Sequence, residues 1–464
     1  MAMLEVPCPR ALRLALAFAS WPAAAQTSPA RTPPVALTAT TPLEAVNGRV
    51  LWVDYRGRRA LKLAPLEGHE RDTDQEMFAV VTGSDFRDGV IEVDVAGARR
   101  EGYSKAEDVS GYKGIIGVTF RLHGDSAERF YLRPENTRLD NQLFRNRSTQ
   151  YESSPDFPWQ RLRQENPGVY ESYADVEPGA WTKVRIEVRG ATARLFVNGA
   201  AQPSLIVSDL RLGESHGSIA LWARISTDAY FSNLRVTPTA VELPPSTARP
   251  DAGTGRPPER AALSGHDLPV VREVLNGRVE PVSYRGERAL KLVPAPATAG
   301  QDADMLAILD GPAFKDGTIE LRLSGAPRDG MPADARGFIG LAMRTGEHGE
   351  WSEVMYLRPT NGRANDQLRR NHAVQYVSHP DHPWYRLRQE TPGTYESYAD
   401  LVAGEWTTMK IVVAGTTARL YVNGAAQPCL VVTDLKHGDA PGRIALWANV
   451  QTDAYFGAIS VVRR

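Results

Sequence analysis

Trp181-Thr182-Lys183-Val184-Arg185-Ile186-Glu187-Val188-Arg189-Gly190, followed closely by Arg194-Leu195-Phe196-Val197-Asn198-Gly199, decides the fold class. Val184, Ile186 and Val188 alternate with Lys183, Arg185, Glu187 and Arg189. A period of two sends one set of side chains to a core and the other to water, which is the mark of a half-buried strand. Gly190 ends the run, and Asn198-Gly199 is the strongest short signal for a tight hairpin. Strands are also expected at Leu61 to Leu63, Val90 to Val95, Ile115 to Leu122, Ser218 to Trp222 and Tyr230 to Val236. No apolar stripe at helical spacing extends over ten residues. Many short strands punctuated by glycine predict an all-β sandwich or barrel.

The stretch occurs twice. Trp406 opens its second occurrence, in which Met409, Ile411 and Val413 hold the buried positions. Asn47-Gly48-Arg49-Val50 reappears as Asn276-Gly277-Arg278-Val279, and Tyr131-Leu132-Arg133-Pro134 as Tyr356-Leu357-Arg358-Pro359. Val197 to Pro203 returns at Val422 to Pro428, and Ile219 to Ala223 at Ile444 to Ala448. The period drifts only between 229 and 223 residues. That is far beyond a solenoid repeat, so each copy is a whole domain. The expected organisation is residues 41–238 for copy 1, a Pro-rich linker over 239–268, and residues 269–464 for copy 2. Pro244-Pro245, Pro250 and Pro257-Pro258 make that linker a semi-stiff tether.

Bulk properties exclude several classes. Of 464 residues, 42% are apolar and 23% charged, as in globular proteins. Lys and Arg number 54 against 55 Asp and Glu, which gives no electrostatic reason for a nucleic-acid partner. Residues 1–25 read as an export signal: Arg10 and Arg13, a short apolar run from Leu12 to Ala19, then Ala23-Ala24-Ala25. The run is too short to span a membrane. Removal of the signal leaves Cys429 alone, so no intrachain disulfide forms. Cys429 takes the place of Ser204 and reads as a small half-buried side chain.

Phe86-Arg87-Asp88-Gly89, Gly114-Ile115-Ile116-Gly117, Trp181 to Val184, Leu195 to Gly199, and Gly217 to Trp222 with Tyr230 to Leu234 run in an order that resembles concanavalin A-like lectin/glucanase domains. Copy 2 carries the same series from Phe314 to Phe456. The resemblance implies two tandem concanavalin A-like jelly-roll β-sandwiches. Laminin-G-like domains and the 3-keto-disaccharide hydrolases share this layout. With the Ala/Arg/Pro-rich composition it also implies a bacterial protein, secreted or periplasmic.

Function is sought where the copies agree for reasons other than packing. Tyr151 to Asp175 and Tyr376 to Asp400 agree at 19 of 25 positions, many of them large and polar. Upstream, Arg133, Asn136, Arg138, Gln142, Arg145, Asn146 and Gln150 recur as well. Flat rings bury the C–H faces of a pyranose at small entropy cost, and planar donors and acceptors hold its hydroxyl pairs. The expected glycan cleft is Tyr151, Asp156, Trp159, Arg161, Arg163, Glu165, Tyr173 and Asp175. Its copy-2 counterpart is Tyr376, Asp381, Trp384, Arg386, Arg388, Glu390, Tyr398 and Asp400. The competing reading is an ion-pair network that holds a long loop together.

A glycosidase needs two carboxyl groups beside the scissile bond. The glucanases of the resembling fold carry Glu-x-Asp-x-x-Glu. Here Glu92-Val93-Asp94-Val95-Ala96-Gly97 lacks the last Glu, and Glu320-Leu321-Arg322 loses the Asp as well. Glu92 and Glu320 are expected to be outward strand residues. Resemblance to the keto-disaccharide hydrolases keeps hydrolysis as an alternative, with Glu165, Asp175, Glu390 and Asp400 as catalytic candidates. An adhesion module of the laminin-G kind is a second alternative. No cofactor is implied. Calcium is a candidate ion at Asp140-Asn141 and Asn365-Asp366. The histidines do not take zinc spacing.

Overall fold

The computed structural model describes residues 35–70, 75–103, 113–238, 268–298, 303–332 and 334–464. The expected export signal and nearly all of the expected linker lie outside the described residues. No helix among the described residues is long and apolar enough to cross a membrane.

Each copy is a sandwich of two antiparallel sheets. In copy 1, one sheet runs in the order Leu205–Val207, Thr192–Val197, Thr182–Arg189, Gly89–Arg99, Thr227–Pro238, Arg58–Ala64, Arg49–Tyr55, and Val35–Ala36 also pairs with Thr227–Pro238. The other runs Glu171–Ser172, Thr149–Ser154, Ser126–Leu132, Ile116–His123, Ser218–Arg224, Glu76–Val81, Leu43–Val46. Copy 2 repeats both orders, from Leu430–Val432 to Gly277–Tyr284 and from Glu396–Ser397 to Val271–Leu275. The fold class is therefore as expected: all-β, two tandem jelly-roll sandwiches.

The alternation read in the sequence is what closes the core. Val184, Ile186 and Val188 are buried among Val93, Leu195, Val118, Phe120, Phe130 and Leu221, while Lys183 and Arg189 are exposed. Asn198 and Gly199 take φ of 53° and 71°, and Asn423 and Gly424 take 52° and 73°. This left-handed pair forms a tight turn closed by Ala200 N on Val197 O at 3.1 Å, but the turn lies inside a longer connection from Thr192–Val197 to Leu205–Val207 and is not a two-residue hairpin. Glu92 faces outward and meets Lys183 at 3.6 Å.

Two features were not expected. The stretch read as a long loop holds a seven-residue helix in each copy, Trp159–Glu165 and Trp384–Glu390. Pro158 and Pro383 precede these helices, and Leu162 and Leu387 are the only residues in them that bury fully. One inward residue per helix leaves no periodic stripe to detect. The second feature is Arg121, fully buried with φ of 55° in the strand Ile116–His123. It donates to Arg87 O at 3.0 Å and to Gly190 O at 2.8 Å, and also to Gly213 O. Arg344 repeats this with Lys315, Gly415 and Gly438. One side chain thus supplies three loops with donors.

Arg121→Leu strips those carbonyls of their partners, and a buried unsatisfied acceptor costs about 1–3 kcal/mol. Urea unfolding is expected to show a loss of about 3 kcal/mol or more. A change below 0.5 kcal/mol contradicts the anchoring role.

Candidate functional site

The segment shared by the copies faces its own counterpart. Asn146 of copy 1 donates to Gly393 O at 2.8 Å and Glu396 O at 2.7 Å, and accepts from Ser397 Oγ at 2.8 Å. Asn371 of copy 2 donates to Gly168 O at 2.8 Å and Glu171 O at 2.7 Å, and accepts from Ser172 Oγ at 2.7 Å. Gln142 accepts from Val431 N at 2.8 Å and donates to Cys429 O at 3.2 Å, so its amide completes the edge strand Leu430–Val432. Gln367 accepts from Ile206 N at 2.8 Å in the opposite edge. Arg145 donates to Pro428 O, and Arg370 to Pro203 O. Most of these contacts have a mirror, which is the signature of an isologous interface, here built within one chain; the Gln142 donation to Cys429 O is an exception. It also covers two strand edges that would otherwise be open to strange partners.

Two cavities open to solvent lie along this seam. The first, of about 460 Å³, is lined by Leu143, Asn146, Arg147, Arg163 and Glu171 from copy 1, and by Leu368, Asn371, His372, Arg388 and Glu396 from copy 2. Arg163 binds Glu171 at 2.6 Å, and Arg388 binds Glu396 at 2.6 Å. Arg147 reaches Glu171 at 3.3 Å, and its counterpart His372 reaches Glu396 at 3.0 Å. Trp159 and Trp384 stand behind this ring, with Arg163 4.4 Å from the first ring centre and Arg388 4.8 Å from the second. Trp384 is 43% exposed and lies edge-on to Tyr385, itself 61% exposed. The second cavity, of about 510 Å³, is lined by Tyr173, Asp175 and Asn198 with Tyr398, Asp400 and Asn423.

The expected cleft residues therefore fall into three settings. Arg163 and Arg388 line the first cavity, backed by Trp159 and Trp384. Tyr173, Asp175, Tyr398 and Asp400 line the second. There Tyr173 accepts from Arg145 at 3.1 Å and Tyr398 from Arg370 at 2.8 Å, while Asp175 pairs with Arg138 at 2.7 Å and Asp400 with Arg363 at 2.8 Å. The third setting is away from either cavity. Tyr151 and Tyr376 are fully buried and donate to Glu128 and Glu353 at 2.5 Å. Arg161 and Glu165, like Arg386 and Glu390, pair at 2.7 Å on the exposed side of their helix, and Asp156 and Asp381 serve through their carbonyls. One cleft per copy is not what these positions form.

Electrostatics follow the pairing. Burial alone raises the Glu396 carboxyl, but its bonds to His372 and Arg388 override this and hold it at about 2. Burial pushes the His372 imidazole down. Burial raises Glu128, which stays tied to Tyr151 and Leu212 N. Glu390 is held low by Arg386, the opposite of what a general acid needs. Cys429 is buried and its thiol is pushed up to about 12. Asp140 pairs with Arg419 of copy 2 at 2.6 Å, and Asn141 and Asp366 cap short helices. No group of three or more His, Cys, Asp or Glu able to hold a metal ion occurs among the described residues.

A further cluster escaped the reading by shared residues. On the face of the copy-1 sheet turned away from the core, Arg129 lies 4.2 Å from the Trp222 ring and binds Glu152 at 2.7 Å and Glu76 at 3.1 Å. Copy 2 has Val354 and Val377 at the positions of Arg129 and Glu152. Comparing where the copies differ, rather than agree, is the signal that finds it.

No protein-family model and no curated protein sequence matches the chain. Similar solved structures include the carbohydrate-binding module CBM66 of Bacillus subtilis, at 14% identity over 42% of this chain and 95% of that one, TM-score 0.28. A Bacillus subtilis protein of unknown function with a galectin-like fold aligns at 12% identity over 42% and 88%, TM-score 0.29. The galectin LEC-6 of Caenorhabditis elegans aligns at 15% identity over 41% and 97%, TM-score 0.21. At these identities and scores the likeness says nothing of ligand or activity.

Two predictions follow from the seam. Asn146→Ala and Asn371→Ala each orphan buried groups and should cost about 2 kcal/mol, with the double variant splitting one urea transition into two; an unchanged single transition contradicts the coupling. The acid dependence has a definite sign. Glu396 falls from its ordinary 4.5 to about 2, so its contribution is full above pH 4.5 and is lost as pH drops toward 2. His372 is pushed below its ordinary 6.5 and acts in the same direction below that pH. The carboxyl share is on the order of 3 kcal/mol. Unfolding as a function of pH should be steeper in the native chain than in Glu396→Gln between pH 4.5 and 2; equal slopes contradict the assignment.

Proposed function

We propose that the protein is a carbohydrate-binding module whose ligand lies in the seam between the copies. The observation that carries this is the double duty of Arg163 and Arg388. Each lines the 460 Å³ cavity and each also stacks on a tryptophan of a short helix. The cavity's size falls in the range of small-molecule sites. Its lining sets Leu143, Leu368, Pro167 and Pro392 beside arginines whose donors are not all spent, a mix of apolar surface and planar hydrogen-bonding groups that complements a sugar ring. Trp384 and Tyr385 extend the surface outward for further sugar units. The first 25 residues, read as an export signal, deliver the module beyond the cytoplasm of a bacterium. In this reading one site is shared by both copies, in place of one site in each.

The test is retention on immobilised polysaccharides and a glycan array. Trp159→Ala combined with Trp384→Ala should weaken retention about tenfold, since it removes the ring that holds each cavity arginine in place, a contact of about 0.5–1 kcal/mol each. Trp384 is 43% exposed and Trp159 is half-buried, so the melting temperature should stay within a few degrees. Full retention by the double variant contradicts the proposed site, and release of sugar on incubation contradicts a purely binding role.

A further inference from the structure

We infer that the seam cavity takes an anionic sugar unit, one bearing a carboxylate or a sulfate ester, and that Arg147 sets its orientation. This rests on the reading of the cavity as a glycan site.

The charges around the cavity do not balance. Glu171 receives both Arg163 and Arg147. Next to them Arg133, only 7% exposed, donates to Arg147 O, Gln150 and Tyr131 and meets no carboxylate among the described residues. In copy 2, Arg358 is 5% exposed and donates to His372 O and Tyr356, again with no carboxylate. Three guanidinium groups of the cavity wall, Arg147, Arg163 and Arg388, thus share Glu171 and Glu396, and Arg133 and Arg358 add two more charges beyond the wall with no carboxylate of their own among the described residues. An arginine cannot shed its proton, and an unpaired charge out of water is costly. The excess is local, because the whole chain carries a net charge of −1.

The unused donors suit an anion. Arg147 spends only its Nε on Glu171, leaving both terminal amino groups without a protein partner among the described residues. Arg163 and Arg388 each leave one, since their Nε and Nη2 hold the glutamates. A guanidinium edge matches the paired oxygens of a carboxylate or sulfate. The seam is mirrored almost throughout, yet His372 stands where symmetry calls for a second Arg147. That ring spends its Nε2 on Glu396 at 3.0 Å and, unlike a guanidinium, has no pair of terminal amino groups to offer. The cationic side of the cavity is therefore the copy-1 side, and an anionic ligand has one way round to lie.

Titration calorimetry of the full chain against trigalacturonate, galactotriose and a sulfated galactotriose tests this. The acidic or the sulfated trisaccharide should bind at least tenfold more tightly than the neutral one, and the tighter of the two names the source of the charge. Arg147→Ala and Arg147→His should erase that preference, about ten- to hundredfold for a lost charge-assisted contact. Arg147→Lys should keep part of it. Equal binding of neutral and charged sugars, or full preference in Arg147→Ala, overturns the inference and leaves the glycan reading standing. No binding of any of the three overturns both.

Discussion

Asn146 and Asn371 exchange hydrogen bonds across the two copies, and the rest of the arrangement depends on that exchange. Each amide satisfies two carbonyls and one hydroxyl of the opposite copy. Those partners belong to the short strands Glu171–Ser172 and Glu396–Ser397 and to the turns before them. The same short strands carry the two glutamates that hold Arg163 and Arg388. Locking the backbone there fixes the ring of charged side chains around the cavity. Fixed donors of this kind bind without first losing rotamer freedom.

The architecture was legible because alternation and turn chemistry are local. Val184, Ile186, Val188 and the Asn198-Gly199 turn behave as their neighbours in sequence dictate. The candidate site was legible only as a list of residues. Gln142, Arg145 and Asn146 recur in the sequence, but nothing local says that they recur because each faces the other copy. Contacts between residues more than 200 apart leave no spacing to read. Arg163 and Arg388 stood out as members of an unusual polar stretch, and both stand at the wall of the first cavity. Tyr151 and Tyr376 stood out for the same reason, yet each sits in its core on a buried glutamate. A tyrosine with one polar atom satisfies either setting, and the pattern cannot separate them.

The copies also show how a duplicated scaffold drifts under physical constraint. Arg58 pairs with Asp94 at 2.6 Å in copy 1, and at the same place Glu287 pairs with Arg322 at 2.5 Å in copy 2. The charges have changed sides together, so the loss of the Asp in Glu320-Leu321-Arg322 is an inverted ion pair. Arg129 and Glu152 have likewise become Val354 and Val377 together, because a single replacement leaves one charge buried alone. The seam shows the opposite behaviour. Most members keep their identity on both sides, and Arg147 against His372, Asp140 against Asn365 and Ser204 against Cys429 are breaks in it.

The central claim is that both copies build one site. Calorimetric stoichiometry of a bound oligosaccharide on the intact chain tests it most directly. The account predicts one ligand per chain. Two equivalent ligands per chain would contradict it and return the site to each sandwich separately.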